Sequence, residues 1–306
     1  MGVCESEKVP HNFIKIDGQI KDISIDSLLD DSIQESIKDK YKIEQKIGKG
    51  SFGKVYFGKD EFGEKCAIKC IKKKNIKTGE LLLNEVNIGV KMNHPNILGI
   101  KKVYEDKKTI SLVMEYCDGG DLLTYITNSP GGKLDDIKTI EIIIQILEGL
   151  NYLHNEVGIC HRDLKPENCL IRNNGKNKPF IKLIDFGTAE YIHNGKRISG
   201  KIGTLKYMAP EIFVNPFYNE KIDLWSAGVI LYNMVTGCEP FELNTKEFKK
   251  KHIFNIDINF DYIKNEDIRE LCKDLLKKNP HKRIDAKTAL EKEKNIRQKF
   301  LMNFNE

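Results

Sequence analysis

The sequence predicts an α+β fold in two lobes, a small strand-rich one followed by a larger helical one. Three observations predict it. Residues 41–116 run in short, β-favouring segments turned on glycines. The stretch "CDGGD" (117–121) breaks that pattern. Beyond it, long apolar stretches recur at helical spacing. The expected divisions are an N-terminal extension (1–40), a first lobe (41–114), a second lobe (115–290) and a C-terminal tail (291–306).

Each element has its own signal. Residues 1–40 show little periodicity beyond Ile-rich patches such as "IKDISIDSLL", which predicts an extension that is flexible or docked on something else. "YKIEQKIGKGSFGKVYFGKD" alternates and turns on glycines, as a hairpin does, and "EKCAIKCIKK" reads as a third strand. "TGELLLNEVNIGVKM" places Leu82, Val86 and Val90 four apart, on one helical face. "ILGIKKVYED" and "TISLVMEY" add two strands, and "LDDIKTIEIIIQILEGLNYLHNE" is a long buried helix. "NCLI" and "FIKLID" form a short hairpin. "NEKIDLWSAGVILYNMVTG" is too apolar all round for a surface helix and is expected in the core. "DIRELCKDLLKKNP" is an amphipathic helix stopped by Pro280.

Composition narrows the function classes. The 306 residues, 40% hydrophobic and 31% charged, are ordinary for a globular protein. No apolar run approaches the roughly 20 residues of a spanning helix, and no apolar segment opens the chain as a secretory signal would. The eight cysteines form no C-x-x-C pair and lie in apolar runs, so they read as reduced packing residues of a cytoplasmic protein. Five lysines face nine acidic residues in 1–40, while the whole chain carries +5, so an acidic leader precedes a basic body. The lysines are scattered rather than striped, which argues against nucleic acid and leaves phosphate on a small ligand as a partner for them.

The motifs carry the chemistry. "GKGSFGKV" (48–55) fits G-x-G-x-x-G-x-V, whose glycines let backbone N–H groups approach phosphates. A glycine-rich hairpin alone is a common tight turn, but its place between two strands argues against the dinucleotide version, in which a helix follows directly. "CAIK" puts Lys69 among apolar neighbours on a strand, with Glu85 on the next helix as a partner and Glu80 as a rival better placed for capping. In "HRDLKPEN" (161–168), five of eight residues can carry charge; a solvated surface run is the plain alternative. "DFG" (185–187) follows a strand. Asn168 and Asp185 offer the hard oxygens that magnesium takes, Asp163 remains free to accept the proton of an attacking hydroxyl, and Lys165 can steady negative charge.

Together with "APE" (209–211), in this order, these motifs resemble the eukaryotic protein kinase family across about 40–290. The resemblance implies the two-lobed protein kinase fold with ATP and Mg2+ as cofactors. It places Ile47, Gly48, Gly50, Ser51, Gly53, Val55, Ala67 and Leu170 around the nucleotide, with Lys69 on its phosphates and paired to Glu85. Met114 would be the gatekeeper, Glu115 and Cys117 the hinge that meets adenine, and Asp121 would sit near the ribose. Asn168 and Asp185 would hold metal, and Asp163, Lys165 and Thr204 would do the catalytic work. Asp223 and Trp225 match the core-helix motif that supports the catalytic loop, and Glu211 would pair with Arg283 unless both are surface charges.

Lys165 after Asp163, and Thr204 in "GTLKYMAPE", resemble the serine/threonine class acting on protein substrates. "SGKIGTLKYMAPE", "DLWSAGVILYNMVTGCEPF" and "LKKNPHKRI" resemble the calcium/calmodulin-dependent group, calcium-dependent protein kinases above all. Glu167 and Asp121 then imply a basic residue three positions before the target, while Asn233, acidic in strongly basophilic relatives, makes a second one doubtful. A scaffold with a lost catalytic set is the rival, and the presence of Lys69, Glu85, Asp163, Asn168 and Asp185 speaks against it. Calcium-dependent relatives carry EF-hands; no D-x-[DN]-x-[DN]-G loop occurs in the 306 residues, so calcium binding by that route is not expected.

Control is read from three places. Arg162 before the catalytic Asp resembles kinases governed by loop phosphorylation, yet the usual acceptor position is Gly200; Ser199 beside it could serve, and basal activity is expected without phosphate. "ALEKEKNIRQKFLMNF" spaces Ile296, Phe300 and Phe304 four apart, as a last helix packing on the second lobe, the favoured reading, or as a calmodulin-binding or inhibitory tail. "MGVCES" fits M-G-x-x-x-[ST], with Gly2 the myristate acceptor and Cys4 a palmitoylation site, so membrane attachment through the N-terminus is expected.

Overall fold

The computed structural model describes residues 14–16, 19–21, 37–49, 53–73, 79–173, 178–192, 197–241, 257–292 and 296. Gly2, Cys4, Gly50, Ser51, Phe300, Phe304 and the side chain of Glu80 lie outside the described residues. The chain divides into two compact units, one of residues 1–93 with 98–116, the other of residues 94–97 with 117–306.

The first unit is built on five antiparallel strands in the order β3-β4-β5-β7-β6. These are β3 (Tyr41–Lys49), β4 (Lys54–Asp60), β5 (Lys65–Lys72), β6 (Ile100–Glu105) and β7 (Thr109–Glu115). Asp60 closes the β4–β5 turn, its Oδ1 accepting the amides of Phe62 (3.0 Å) and Glu64 (2.8 Å). Helix α1 (Gly79–Gly89) lies on one face of the sheet because its apolar stripe needs cover: Leu82 and Val86 pack with Ile71, Val103, Ile110 and Leu112. The N-terminal extension is not featureless. Ile14–Ile16 (β1) pairs with Gln19–Lys21 (β2), and β1 runs beside β6. The period-2 signal of so short a hairpin is too brief to read from sequence.

The second unit is mainly helical. Helix α2 (Leu122–Thr127) is followed by α3 (Asp136–Asn151), whose last turn widens into a π-helix over Tyr152–Val157 and stops at Gly158 with φ 72°. Short strands β8 (Ile159–Cys160), β9 (Cys169–Asn173), β10 (Pro179–Leu183) and β11 (Glu190–Tyr191) pair as β8 with β11 and β9 with β10. Helix α4 (Glu211–Val214) precedes α5 (Lys221–Thr236), which is buried on nearly every side, as its uniform apolarity predicts. The amphipathic α6 (Glu266–Leu275) buries Ile268, Leu271, Cys272 and Leu275. It ends well before Pro280; the chain has already turned, and the proline does not stop it.

Buried polar side chains tie these elements. Asn96 donates to Gln145 Oε1 (3.2 Å) and to the Ile181 carbonyl (3.1 Å), fixing the 94–97 segment between α3 and β10. All seven described cysteines are free, and burial raises the Cys66 thiol to about 11. Cys238, however, is exposed in the turn after α5 rather than packed in an apolar run.

Helix α5 meets α6 through Gly228: a Cβ there would stand 2.8 Å from Leu276 Cγ and 2.9 Å from Leu275 Cβ. Gly228→Ala should therefore destabilise the protein by about 1–3 kcal/mol through overpacking, read as a lower thermal midpoint. An unchanged midpoint would show that the contact relaxes freely.

Candidate active site

In the first unit, Lys69 and Ile71 share the sheet face that α1 covers. Ile71 packs on Leu82 and Val86, which brings Glu85 over the sheet, and Lys69 Nζ bonds Glu85 Oε1. Both are buried, at 6% and 7% exposure, so Glu85 is the partner. Gly48 and Val55 are register partners on β3 and β4, and Val55 in turn faces Lys69 on β5. Ala67 faces Met114, and Glu115 faces Cys66. Ile47 is exposed and Gly53 half-buried at the β3–β4 end of the sheet.

In the second unit, one buried carboxylate organises the loop between β8 and β9. Asp223, 1% exposed on α5, accepts the amides of His161 (2.8 Å) and Arg162 (2.9 Å), and bonds His154 Nε2 (2.8 Å) and Cys160 Sγ (3.3 Å). Burial pushes its pKa up, but the His154 hydrogen bond and charge and the His161 contacts outweigh that and hold the carboxyl below its usual range. His161 continues the chain of bonds. Its Nδ1 accepts the Asp163 amide (3.3 Å) and its Nε2 meets the Ile184 carbonyl (2.9 Å), so the ring hydrogen sits on Nε2. Phe186 lies beside it with the rings tilted by 56° and their centroids 5.4 Å apart.

Asp163 is thereby delivered with its carboxylate bonded on both oxygens. Oδ1 accepts from Thr204 Oγ1 (2.7 Å) and Oδ2 from Lys165 Nζ (2.8 Å), while Lys165 also donates to Thr204 Oγ1 (2.8 Å). Asn168 donates its Nδ2 to the Asp163 carbonyl (2.8 Å), which turns the amide so that its oxygen is the atom left for a ligand. The Ile184 amide bonds the Asn168 carbonyl (3.0 Å), keeping Asp185 next to Asn168. Asp185 is held at φ 67°, and its Oδ1 accepts the Gly187 amide at 3.4 Å. Two hard oxygen donors fit magnesium. Among the described residues no group of three or more His, Cys, Asp or Glu stands ready to hold a metal. Further ligands for an ion at Asn168 and Asp185 would come from phosphate and water.

Other sequence-derived residues fall in varied places. Leu170 forms a β-bridge with Asp121, whose carboxylate caps α2 by accepting from the Thr124 amide (2.8 Å) and hydroxyl (3.1 Å). Glu167 is exposed, Cys117 is half-buried, and Ser199 is exposed. Asn233 donates to the Cys238 carbonyl (3.3 Å). Glu211 and Arg283 are no surface charges: they form a bidentate pair (2.6 and 2.9 Å) at 2% and 1% exposure, with Trp225 under the guanidinium at 5.2 Å. Sequence reasoning passed over His154 and Cys160. Each meets Asp223 from more than 60 residues away, and no local pattern announces such a contact.

A family model described as "Protein kinase domain" matches residues 41–293. Calcium-dependent protein kinase 4 of Plasmodium berghei is 36% identical over 83% of this chain and 49% of its own length. Calcium-dependent protein kinase 14 of Arabidopsis thaliana is 38% identical over 83% and 49%. An Aurora kinase of Candida glabrata is 37% identical over 79% and 66%. The chain spans about half the length of the calcium-dependent kinases it matches.

Asp223 gives a pH signature. A carboxyl whose folded pKa is depressed adds stability above its unfolded value, about 4, and loses it as pH falls through the lower folded value. Acid unfolding of the wild type should steepen below about pH 4. Asp223→Asn should remove that component and cost about 3 kcal/mol or more near neutrality, since two buried amides lose an ionic acceptor. Denaturant unfolding at stepped pH checks both; parallel curves for the two proteins would contradict the assignment.

Proposed function

The chain belongs to the protein kinase family, and we propose that it is an ATP-dependent protein serine/threonine kinase, moving the γ-phosphate of ATP to Ser or Thr hydroxyls of proteins. The observation that carries this is the Asp163–Lys165–Thr204 triangle on a loop anchored to the core helix. Asp163 Oδ2 takes Lys165 and a longer contact from Asn168 Nδ2 (3.4 Å), while Oδ1 takes Thr204 and keeps a second lone pair, so the carboxylate can accept the proton of an attacking hydroxyl without releasing Thr204 or Lys165. Lys165 places positive charge beside the base, where it balances negative charge developing on the transferred group. Mg2+ held by Asn168 and Asp185 would neutralise phosphate charge, the main demand of phosphoryl transfer. Lys69, made rigid by its buried pair with Glu85, supplies a fixed ammonium for the phosphates of ATP. The complete set of these residues supports an active enzyme over a scaffold.

Finer features are proposals of the same kind. The exposed Glu167 carboxylate supports a preference for a basic residue three positions before the target. Asp121 is committed to capping α2, so it supports that preference less. Gly2, Cys4 and Ser6 support acylation and attachment to the cytoplasmic face of a membrane. For the basic C-terminal stretch, burial of Ile296 supports packing on the protein over capture by calmodulin.

Transfer from Mg-ATP to an Arg-containing serine peptide tests the enzyme reading. Asp163→Asn should lower kcat by about 10²–10⁴, with Lys69→Met setting the zero; wild-type activity no higher than that zero would contradict the proposal. A positional peptide library should select Arg or Lys three residues before the target. A flat profile there would remove the specificity reading and leave the activity untouched.

A further inference from the structure

Arg162, one residue before Asp163, is held in an uncommon way. Its φ is 72°, a left-handed conformation that costs a non-glycine residue about 1–3 kcal/mol. The Asp223 bond to its amide offsets this (2.9 Å). Its side chain is buried, and its guanidinium is already occupied. Nη2 donates to the Ser199 carbonyl (2.7 Å) and to the Tyr218 hydroxyl (3.1 Å), and Nη1 faces Glu190 Oε2 at 3.5 Å. Its Nε is buried without a hydrogen-bond partner, while Ser199 is exposed.

Tyr218 binds the same segment a second way. Its hydroxyl donates to the Gly200 carbonyl (2.6 Å) while accepting from Arg162. Its backbone exchanges hydrogen bonds with Ile198 in both directions (3.1 and 2.9 Å). Burial pushes the phenol's pKa up, so it stays protonated and able to donate. The segment is shaped for this contact. Gly200 has φ +95° and Gly203 φ +118°, and a Cβ on Gly203 would stand 2.5 Å from the Arg162 carbonyl oxygen. A residue with a hydroxyl side chain at 200 would be strained where glycine is not.

We propose that Tyr218 is a positioning residue for phosphate transfer: with Glu190 as counter-charge, it satisfies Arg162 and sets the Ser199–Gly203 segment against the catalytic loop with no phosphate on the segment. The inference rests on the enzyme reading above. A phosphate on Ser199 would bring about −1.5 to −2 charge to an arginine whose Nη2 is already shared by two oxygens and whose other face meets a carboxylate. It would gain little there and would be repelled by Glu190.

The test uses the full chain, treated with a broad phosphatase and confirmed phosphate-free by mass, against Arg-containing serine peptide and Mg-ATP. Phosphate-free wild type, Ser199→Ala and Ser199→Asp should keep kcat/KM within about two-fold of one another, since none changes a group that Arg162 contacts through its side chain. Tyr218→Phe keeps the ring but loses a bond accepted and a bond donated. It should lower peptide kcat/KM about ten-fold or more, with the KM for ATP and the thermal midpoint little changed. A purely structural tyrosine would instead move the midpoint and all kinetic parameters together. Loss of activity on phosphatase treatment, or in Ser199→Ala, overturns the inference while leaving the enzyme reading intact, as does wild-type behaviour of Tyr218→Phe. Transfer no higher than that of Lys69→Met in every form, phosphorylated or not, overturns the enzyme reading and this inference with it.

Discussion

The Asp223 carboxylate is the interaction on which the second unit's chemistry depends. It is 1% exposed on a helix that is itself buried, so it cannot move without moving the core. Ionised burial is costly unless every lone pair is used. Here two backbone amides, His154 and a thiol use them. The benefit is geometric. Consecutive amides of His161 and Arg162 converge on one group, which holds Arg162 in its left-handed turn and aims the next residue, Asp163, at Lys165 and Thr204. Asn168 then takes its orientation from the Asp163 carbonyl, and Asp185 from Asn168 through Ile184. Position thus passes from α5 to every candidate ligand and base of the unit by hydrogen bonds of near-ideal length.

The two buried ion pairs serve differently from this anchor. Lys69–Glu85 joins a strand to a helix within the first unit, and it fixes the ammonium in place. Glu211–Arg283 joins two stretches 72 residues apart in the second, with the Lys221 and Lys277 carbonyls taking two of the three remaining guanidinium protons. Buried pairs of this kind add little net stability over an apolar substitute, but losing one partner is costly because a buried charge is left alone. They therefore specify an arrangement more than they strengthen it. Arg162 belongs to the same economy of satisfied donors. Its partners are carbonyl and phenol oxygens more than carboxylates, which leaves an incoming anion little to bind.

Much of this was legible in the sequence. Strand and helix segments of 41–275 follow from periodicity, because the sheet and helices are covered on defined faces and their apolar residues recur accordingly. Lys69, Asp163 and Asp185 stand out as charged residues in or beside apolar runs, and Asn168 through its place in "HRDLKPEN" and its hard oxygen. What did not show depends on approach in space. His154 and Tyr218 look like ordinary residues until the fold brings them to Asp223 and Arg162, 69 and 56 residues away. Asp121 illustrates the converse. A carboxylate at a helix start satisfies orphan amides, and its side chain is committed to that cap. Pro280 is a strong stop signal, but α6 ends at Leu275, where Leu276 leaves helical geometry while staying buried.

Native-state hydrogen exchange at the amides of His161 and Arg162 tests the central claim most directly. If Asp223 organises the catalytic loop, both amides are protected in the intact protein to the level of the α5 core, and Asp223→Ala releases them while the amides of the five-stranded sheet stay protected. Exchange at the rate of an open loop in the intact protein, or unchanged protection after Asp223→Ala, would contradict it.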